Sequence, residues 1–262
     1  MLTLEQIEKN YPEKLSVFKR FILREYLQHK ILQIIFDSRY AGELVFLGGT
    51  CLRVVHGNTR FSEDLDFDNF DLAESRFEKI AAIIKKQLEE EGYTVELSTK
   101  FKGAYHCLVR FPALLFQEGL SGHLEEKILI QLDTEPQHFA FTPEKYILNR
   151  FDVYTQIFVT PLDILLAQKF YAILNRPRNK GRDFFDAIFI LSKIAAPNYE
   201  YLKKKIQIRS PADLKERILE KCKDLDMNEM ASDVEPFLFD PADVKKIITF
   251  PDYIKQIPLK LI

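Results

Sequence analysis

The chain has 262 residues, 47% of them hydrophobic and 29% charged, without single-residue or Gly/Ser-rich tracts, which excludes a disordered or fibrous protein. A formal net charge of -2 excludes bulk attraction to nucleic acid or an anionic membrane, so any such contact must come from a local patch. Three scattered cysteines, Cys51, Cys107 and Cys222, form no Cys-x-x-Cys pair and exclude a disulfide framework or a cysteine zinc site; they predict a reducing, cytoplasmic setting.

The N-terminus has no basic region leading into an apolar run, and no stretch approaches eighteen apolar residues, so neither export nor a membrane span is expected. From Leu4 to Ser38, Phe18, Ile22, Tyr26, Ile31, Ile34 and Ile35 recur near helical spacing. Residues 1–38 are therefore expected as a helical segment packing on the core. The run Leu44-Val45-Phe46-Leu47, then Gly48-Gly49 and Thr50-Cys51-Leu52-Arg53, predicts strand, tight turn and short helix.

From Asp64 to Phe70 the sequence alternates, predicting a half-buried strand with Asp64, Asp66 and Asp68 on one face and Leu65 and Phe67 on the other. A helix follows around Leu72 to Glu91. Strands are then expected near Tyr93–Thr99, Ala104–Phe111, Lys127–Asp133 and Val153–Val159. After Thr160-Pro161 the pattern is helical, broken at Arg176 to Gly181, Pro197, Ser210-Pro211, Phe239 to Pro241 and Pro251. Residues 39–160 thus read as an α+β core with a small mixed or antiparallel sheet, and residues 161–262 as a helical C-terminal domain.

Alternate residues on a strand lie about 6.5 to 7 Å apart with parallel side chains, so Asp64 and Asp66 can converge on hard cations. A pair of Mg²⁺ ions there, or Mn²⁺ in their place, would activate an attacking hydroxyl and stabilise a pyrophosphate leaving group. Asp133, on the polar face of its strand beside Gln131, is the candidate third carboxylate. Acids on a strand also serve to keep an edge soluble, and Asp-Leu-Asp alone does not decide between the two. An EF-hand fails, because Asn69 and Ser75 stand where its glycine and final glutamate belong. What distinguishes the pair is Gly48-Gly49-Thr50 upstream, a turn that lets phosphate approach the backbone.

Farther on, Lys169 falls on the apolar stripe of its helix with Leu162, Leu165, Leu166 and Ile173, so its ammonium either snorkels or meets phosphate. Asp183 and Asp186 share a stripe with Ala187 and Ile190. One or both must therefore face inward, with Lys169 or Arg182 as partner. Both features also fit a structural ion pair between helices. The turn from Arg176 to Arg182 gathers cations suited to a triphosphate or an RNA backbone, or to helix C-terminal carbonyls. The histidines show no ligand spacing and receive no role.

Gly-Gly-Thr-x-Leu-Arg, then Arg60-x-Ser62-Glu63-Asp64-Leu65-Asp66-Phe67, then Gln168-Lys169 and Arg182-Asp183-Phe184-Phe185-Asp186, resemble the polymerase-β-like nucleotidyltransferases. Within them they resemble the AbiEii/AbiGii toxin family, related to the MenT toxins, from about Val45 to Leu191. The resemblance implies a polymerase-β-like core and Mg²⁺-dependent transfer of NMP from an NTP to an acceptor, with tRNA the expected RNA. It implies Asp64, Asp66 and Asp133 as metal ligands. Lys169 and Asp183 would join them in catalysis, and Gly48, Gly49, Thr50, Arg60, Ser62, Lys169, Arg182 and Asp186 would contact the NTP. It further implies a bacterial toxin of a toxin–antitoxin or phage-defence pair, with a cognate antitoxin protein. Two alternatives are a DxD phosphohydrolase and a binding domain without turnover. The first needs an apolar strand before its nucleophile, where this chain has Arg60-Phe61-Ser62-Glu63, and the second usually loses a carboxylate or the phosphate turn.

Overall fold

A computed structural model describes residues 1–261 and resolves the chain into two units, the first made of Met1–His56 with Phe61–Val159, the second of Gly57–Arg60 with the residues from Thr160 onward. The chain thus lends four residues to the second unit before returning to the first.

In the first unit, Thr3 closes a capping box with Gln6 and opens α1 (Leu4–Glu8), and α2 (Lys19–Phe36) follows. Next come β1 (Leu44–Leu47), α3 (Gly48–Val54), β2 (Leu65–Asn69), α4 (Glu74–Glu90), β3 (Glu96–Lys102), β4 (Ala104–Phe111) and α5 (Leu114–Gln117). The unit ends with β5 (Ile128–Glu135), β6 (Glu144–Arg150) and β7 (Val153–Val159). All seven strands form one sheet in the order β3-β4-β5-β2-β1-β7-β6. β2 runs parallel to β5 and β1 parallel to β7, while the other neighbours are antiparallel, so the sheet is mixed.

Because strand side chains alternate between faces, β2 sends Leu65 and Phe67 to one side and Asp66 to the other. The apolar side is covered by α2 and α4. Phe36 of α2 meets Phe67 at 6.4 Å between ring centroids, and Phe77 of α4 meets Tyr105 at 5.7 Å. A buried charge cluster ties α2 to its surroundings: Glu25, 2% exposed, accepts from Tyr11 Oη, Arg53 Nε and Arg150 Nη1, each at 2.7 Å. Burial opposes ionisation of Glu25, but the two guanidiniums outweigh it and hold its carboxyl below the usual range.

The second unit contains α6 (Leu162–Asn175), α7 (Gly181–Leu191), α8 (Tyr199–Ile206), α9 (Pro211–Lys223), α10 (Met227–Val234), α11 (Val244–Ile248) and α12 (Phe250–Gln256). Its interruptions follow local chemistry. Ser210 caps α9 ahead of Pro211, and Pro251 sits in the first turn of α12, where a missing N–H costs nothing. Its apolar centre includes Phe184 edge-on to Phe250 at 5.0 Å. No helix among the described residues is long and apolar enough to cross a membrane.

The α+β class, with a mixed sheet and a helical C-terminal part, is borne out. Two strands differ from the pattern reading. β3 begins three residues later than expected, at Glu96 rather than Tyr93, with Tyr93 and Val95 buried ahead of it. β6 was not anticipated: it is an edge strand with Leu148 its one buried residue, too little apolar signal to read.

Candidate functional site

Register across the first unit builds a polar row. Asp66 on β2 lies opposite Asp133 on β5, Asp133 lies opposite His106 on β4, and on its other side Asp66 lies opposite Leu47 on β1. Residues opposite one another point to the same face with backbones about 4.8 Å apart, so the sheet brings Asp66 and Asp133 together beside the start of α3.

Gly48, at that start, has φ +80, and a Cβ there would stand 2.2 Å from Asp66 Oδ2. The glycine is required twice, by its left-handed backbone and by the carboxylate that fills the space a side chain would take. Gly49 and Thr50 are buried in α3, and the Thr50 hydroxyl donates to the Asp64 carbonyl. The Thr50 side chain, expected to cradle phosphate, is therefore spent on holding the carboxylate segment. From α2, Gln28 Nε2 donates to the carbonyls of Ser62 at 3.0 Å and Glu63 at 2.8 Å, and Arg24 pairs with Glu63. Ser62 thus enters this anchorage through its backbone.

Asp64 and Asp66 are both partly exposed, Asp64 standing just ahead of β2. Asp68, expected on the same open face, is 1% exposed and accepts from the Gln137 N–H at 2.9 Å, so it belongs to the framework. The Asp133 carboxylate, 29% exposed, accepts from His106 Nδ1 at 2.7 Å and from Gln131 Nε2 at 2.9 Å on each oxygen. Pattern reading gave His106 no role because no histidine had ligand spacing. Its only sequence signal was its place on the polar face of β4, and the pairing with Asp133 spans 27 residues.

The fit to a divalent cation rests on donor chemistry. Among the described residues no three His, Cys, Asp or Glu side chains form a ready-made cage. Mg²⁺ does not need one, since it is commonly held by one or two carboxylates together with waters and substrate phosphates. Asp66 and Asp133, hard oxygen donors in register and partly open, meet that requirement.

In the second unit, α6 and α7 carry a buried ionic network. Asp186, 0% exposed, accepts from Arg60 Nε and Nη2 at 2.7 Å each, from Asn58 Nδ2 at 2.8 Å, and pairs with Lys169 Nζ at 2.8 Å. Asp183, 2% exposed, pairs with the same Lys169 at 3.1 Å and with Arg176 at 3.0 Å. Burial alone would neutralise Asp186, but the Arg60 guanidinium and the Lys169 ammonium hold it well below the usual carboxylate range. For Lys169 burial again opposes the charge, and Asp186 and Asp183 raise its pKa regardless.

This placement changes two expectations. Arg60 was expected to touch the nucleotide, but it is 1% exposed and its guanidinium is committed to Asp186 in a bidentate pair, so it and Asp186 act inside the fold. Lys169 and Arg182 were the anticipated partners for the inward acids. Lys169 is one, but Arg182 is half-buried and makes no hydrogen bond or ion pair among the described residues. The α7 helix is fixed at its start by α10: a Cβ on Gly181 would lie 1.7 Å from the Met230 carbonyl oxygen, and Asp233 accepts the Gly181 N–H at 3.0 Å.

Comparison with known proteins adds a family. Residues 30–253 match the family model described as "Nucleotidyl transferase AbiEii toxin, Type IV TA system". Among solved structures the chain is similar to JHP933 from Helicobacter pylori, with a TM-score of 0.57 and 17% identity over 90% of this chain and 91% of that one. It is also similar to a candidate nucleotidyltransferase from H. pylori, with a TM-score of 0.54 and 18% identity over 90% and 93%. At these identities the likeness is one of fold. No curated protein matches the chain.

Proposed function

Because the chain belongs to the AbiEii nucleotidyl transferase toxin family, we propose that it transfers a nucleoside monophosphate from an NTP to an acceptor hydroxyl on RNA, with tRNA as the acceptor. The observation that carries this reading is the in-register pair Asp66 and Asp133 beside a glycine whose missing side chain makes room for the carboxylate.

Asp64, Asp66 and Asp133 would hold Mg²⁺, as a pair of ions or with Mn²⁺ in substitution. Bound there, the metal would lower the pKa of the attacking hydroxyl and neutralise charge on the departing pyrophosphate. The Gly48–Gly49 backbone at the start of α3 is the proposed contact for a phosphate, and Thr50 keeps the Asp64 backbone in place. In the second unit Lys169, whose side chain is 12% exposed, offers its ammonium to a phosphate oxygen, and Asp183 and Asp186 keep it charged and oriented. Arg182, without an ion-pair or hydrogen-bond partner among the described residues, is the other cation proposed for the nucleotide. In the cell the protein acts in the cytoplasm as the toxin of a toxin–antitoxin pair with a defence role, restrained by a separate antitoxin protein.

The test incubates purified protein with Mg²⁺, each labelled NTP in turn and total tRNA, comparing wild type with Asp66→Ala. Label should enter tRNA with one or more nucleotides and should vanish in the variant. Incorporation indifferent to Asp66 would overturn the reaction assignment, and label entering protein but never RNA would overturn the acceptor.

A further inference from the structure

The Asp133 carboxylate is gripped from two directions. Gln131, two residues earlier on the same face of β5, donates one amide nitrogen to both oxygens at 2.9 Å, and His106 on β4 reaches Oδ1 at 2.7 Å across the strand pair. An ionised carboxylate only accepts hydrogen bonds, so the His106 Nδ1 carries the hydrogen and donates it. The two oxygens are therefore unequal. Oδ1 serves two donors while Oδ2 serves one, leaving Oδ2 with the larger free acceptor capacity.

Two carboxylates on neighbouring strands repel when both are ionised, and in the absence of a cation each swings away unless something holds it. His106 and Gln131 supply that restraint for Asp133 from within the sheet. Gly48 does the equivalent for Asp66 by giving its carboxylate a place beside the backbone.

We propose that His106, together with Gln131, is a positioning residue that presents Asp133 Oδ2 to the divalent cation. This rests on the reading of Asp133 as a metal ligand. A donor bound to a ligating carboxylate fixes its orientation, and loss of such a donor commonly weakens metal binding by about 10- to 100-fold.

Mn²⁺ is titrated into the full-length protein without nucleotide, and free Mn²⁺ is read by electron paramagnetic resonance, so that binding is measured apart from turnover. His106→Ala should raise the Mn²⁺ dissociation constant about tenfold or more. His106→Asn sets an amide nitrogen near the former Nδ1 and should recover most of that loss. Gln131→Leu should weaken binding in the same direction. A loss of packing alone would leave the alanine and asparagine variants alike, and that result would overturn the proposal. Wild-type affinity in His106→Ala would also overturn it, with the metal reading left standing if Asp133→Asn abolishes binding. Wild-type affinity in Asp133→Asn would overturn both together.

Discussion

Gly48→Ala is the sharpest perturbation of the carboxylate row. At φ +80 an L-residue is strained by roughly 1–2 kcal/mol. The new Cβ would also stand 2.2 Å from Asp66 Oδ2 and 2.9 Å from its Cγ. Non-bonded atoms settle at roughly 3.5 Å, so the carboxylate must retreat by about 1 Å. A displacement of about 1 Å at a reacting centre can lower turnover by about 100-fold. Stability is measured by urea unfolding, and turnover by label transfer at saturating NTP and Mg²⁺. The variant should lose about 1–2 kcal/mol of stability, too little to unfold an ordinary domain, yet about 100-fold in turnover. Turnover within about threefold of wild type would refute the claim that Asp66 works from the place Gly48 makes for it.

Removing one partner of a buried pair strands the other, so Arg60→Met should cost about 3 kcal/mol in urea unfolding, with Lys169 and Asn58 keeping Asp186 partly satisfied. The double variant Arg60→Met, Asp186→Leu also takes an acceptor from Asn58 and from Lys169, so it should recover only part of that loss, and a single variant as stable as wild type would contradict the network. Gly181→Ala forces a methyl into the Met230 carbonyl and should cost at least about 2 kcal/mol by the same assay. His29 is fully buried, and desolvation pushes its pKa down to about 4 from the usual 6.5, against a smaller opposing pull from Glu25. The unfolded chain therefore takes up this proton first as pH falls. The contribution of His29 is full above pH 6.5 and fades by up to about 3 kcal/mol toward pH 4. Urea unfolding of His29→Leu across that window should show a shallower pH dependence than wild type, and parallel curves would contradict it.

Much of the row was legible in the sequence because local patterns specify local structure. Alternation around Asp66 placed it opposite Phe67, and the same alternation on β5 set Asp133 beside Gln131. Gly48-Gly49 after an apolar run marked the turn. What local patterns lack is register. That Asp133 would stand against Asp66 on one side and His106 on the other follows from strand pairing, which no window of sequence contains. Arg60 and Asp186 are 126 residues apart, so the inward acid was expected while its main partner was not. Asp68 shows the opposite limit: alternation put it on the open face, and a backbone N–H from Gln137 closed it off.

In the proposed reaction the α phosphorus of an NTP moves to the acceptor under control of Asp66. Parallel reactions with NTP labelled at the α or the γ phosphorus, with tRNA as acceptor and Asp66→Ala as control, separate this from phosphoryl transfer and hydrolysis. The expected result is α label in tRNA, pyrophosphate released in equal amount, and neither product from the variant. Label from the γ position in tRNA, or release of inorganic phosphate with no label on RNA, would contradict it.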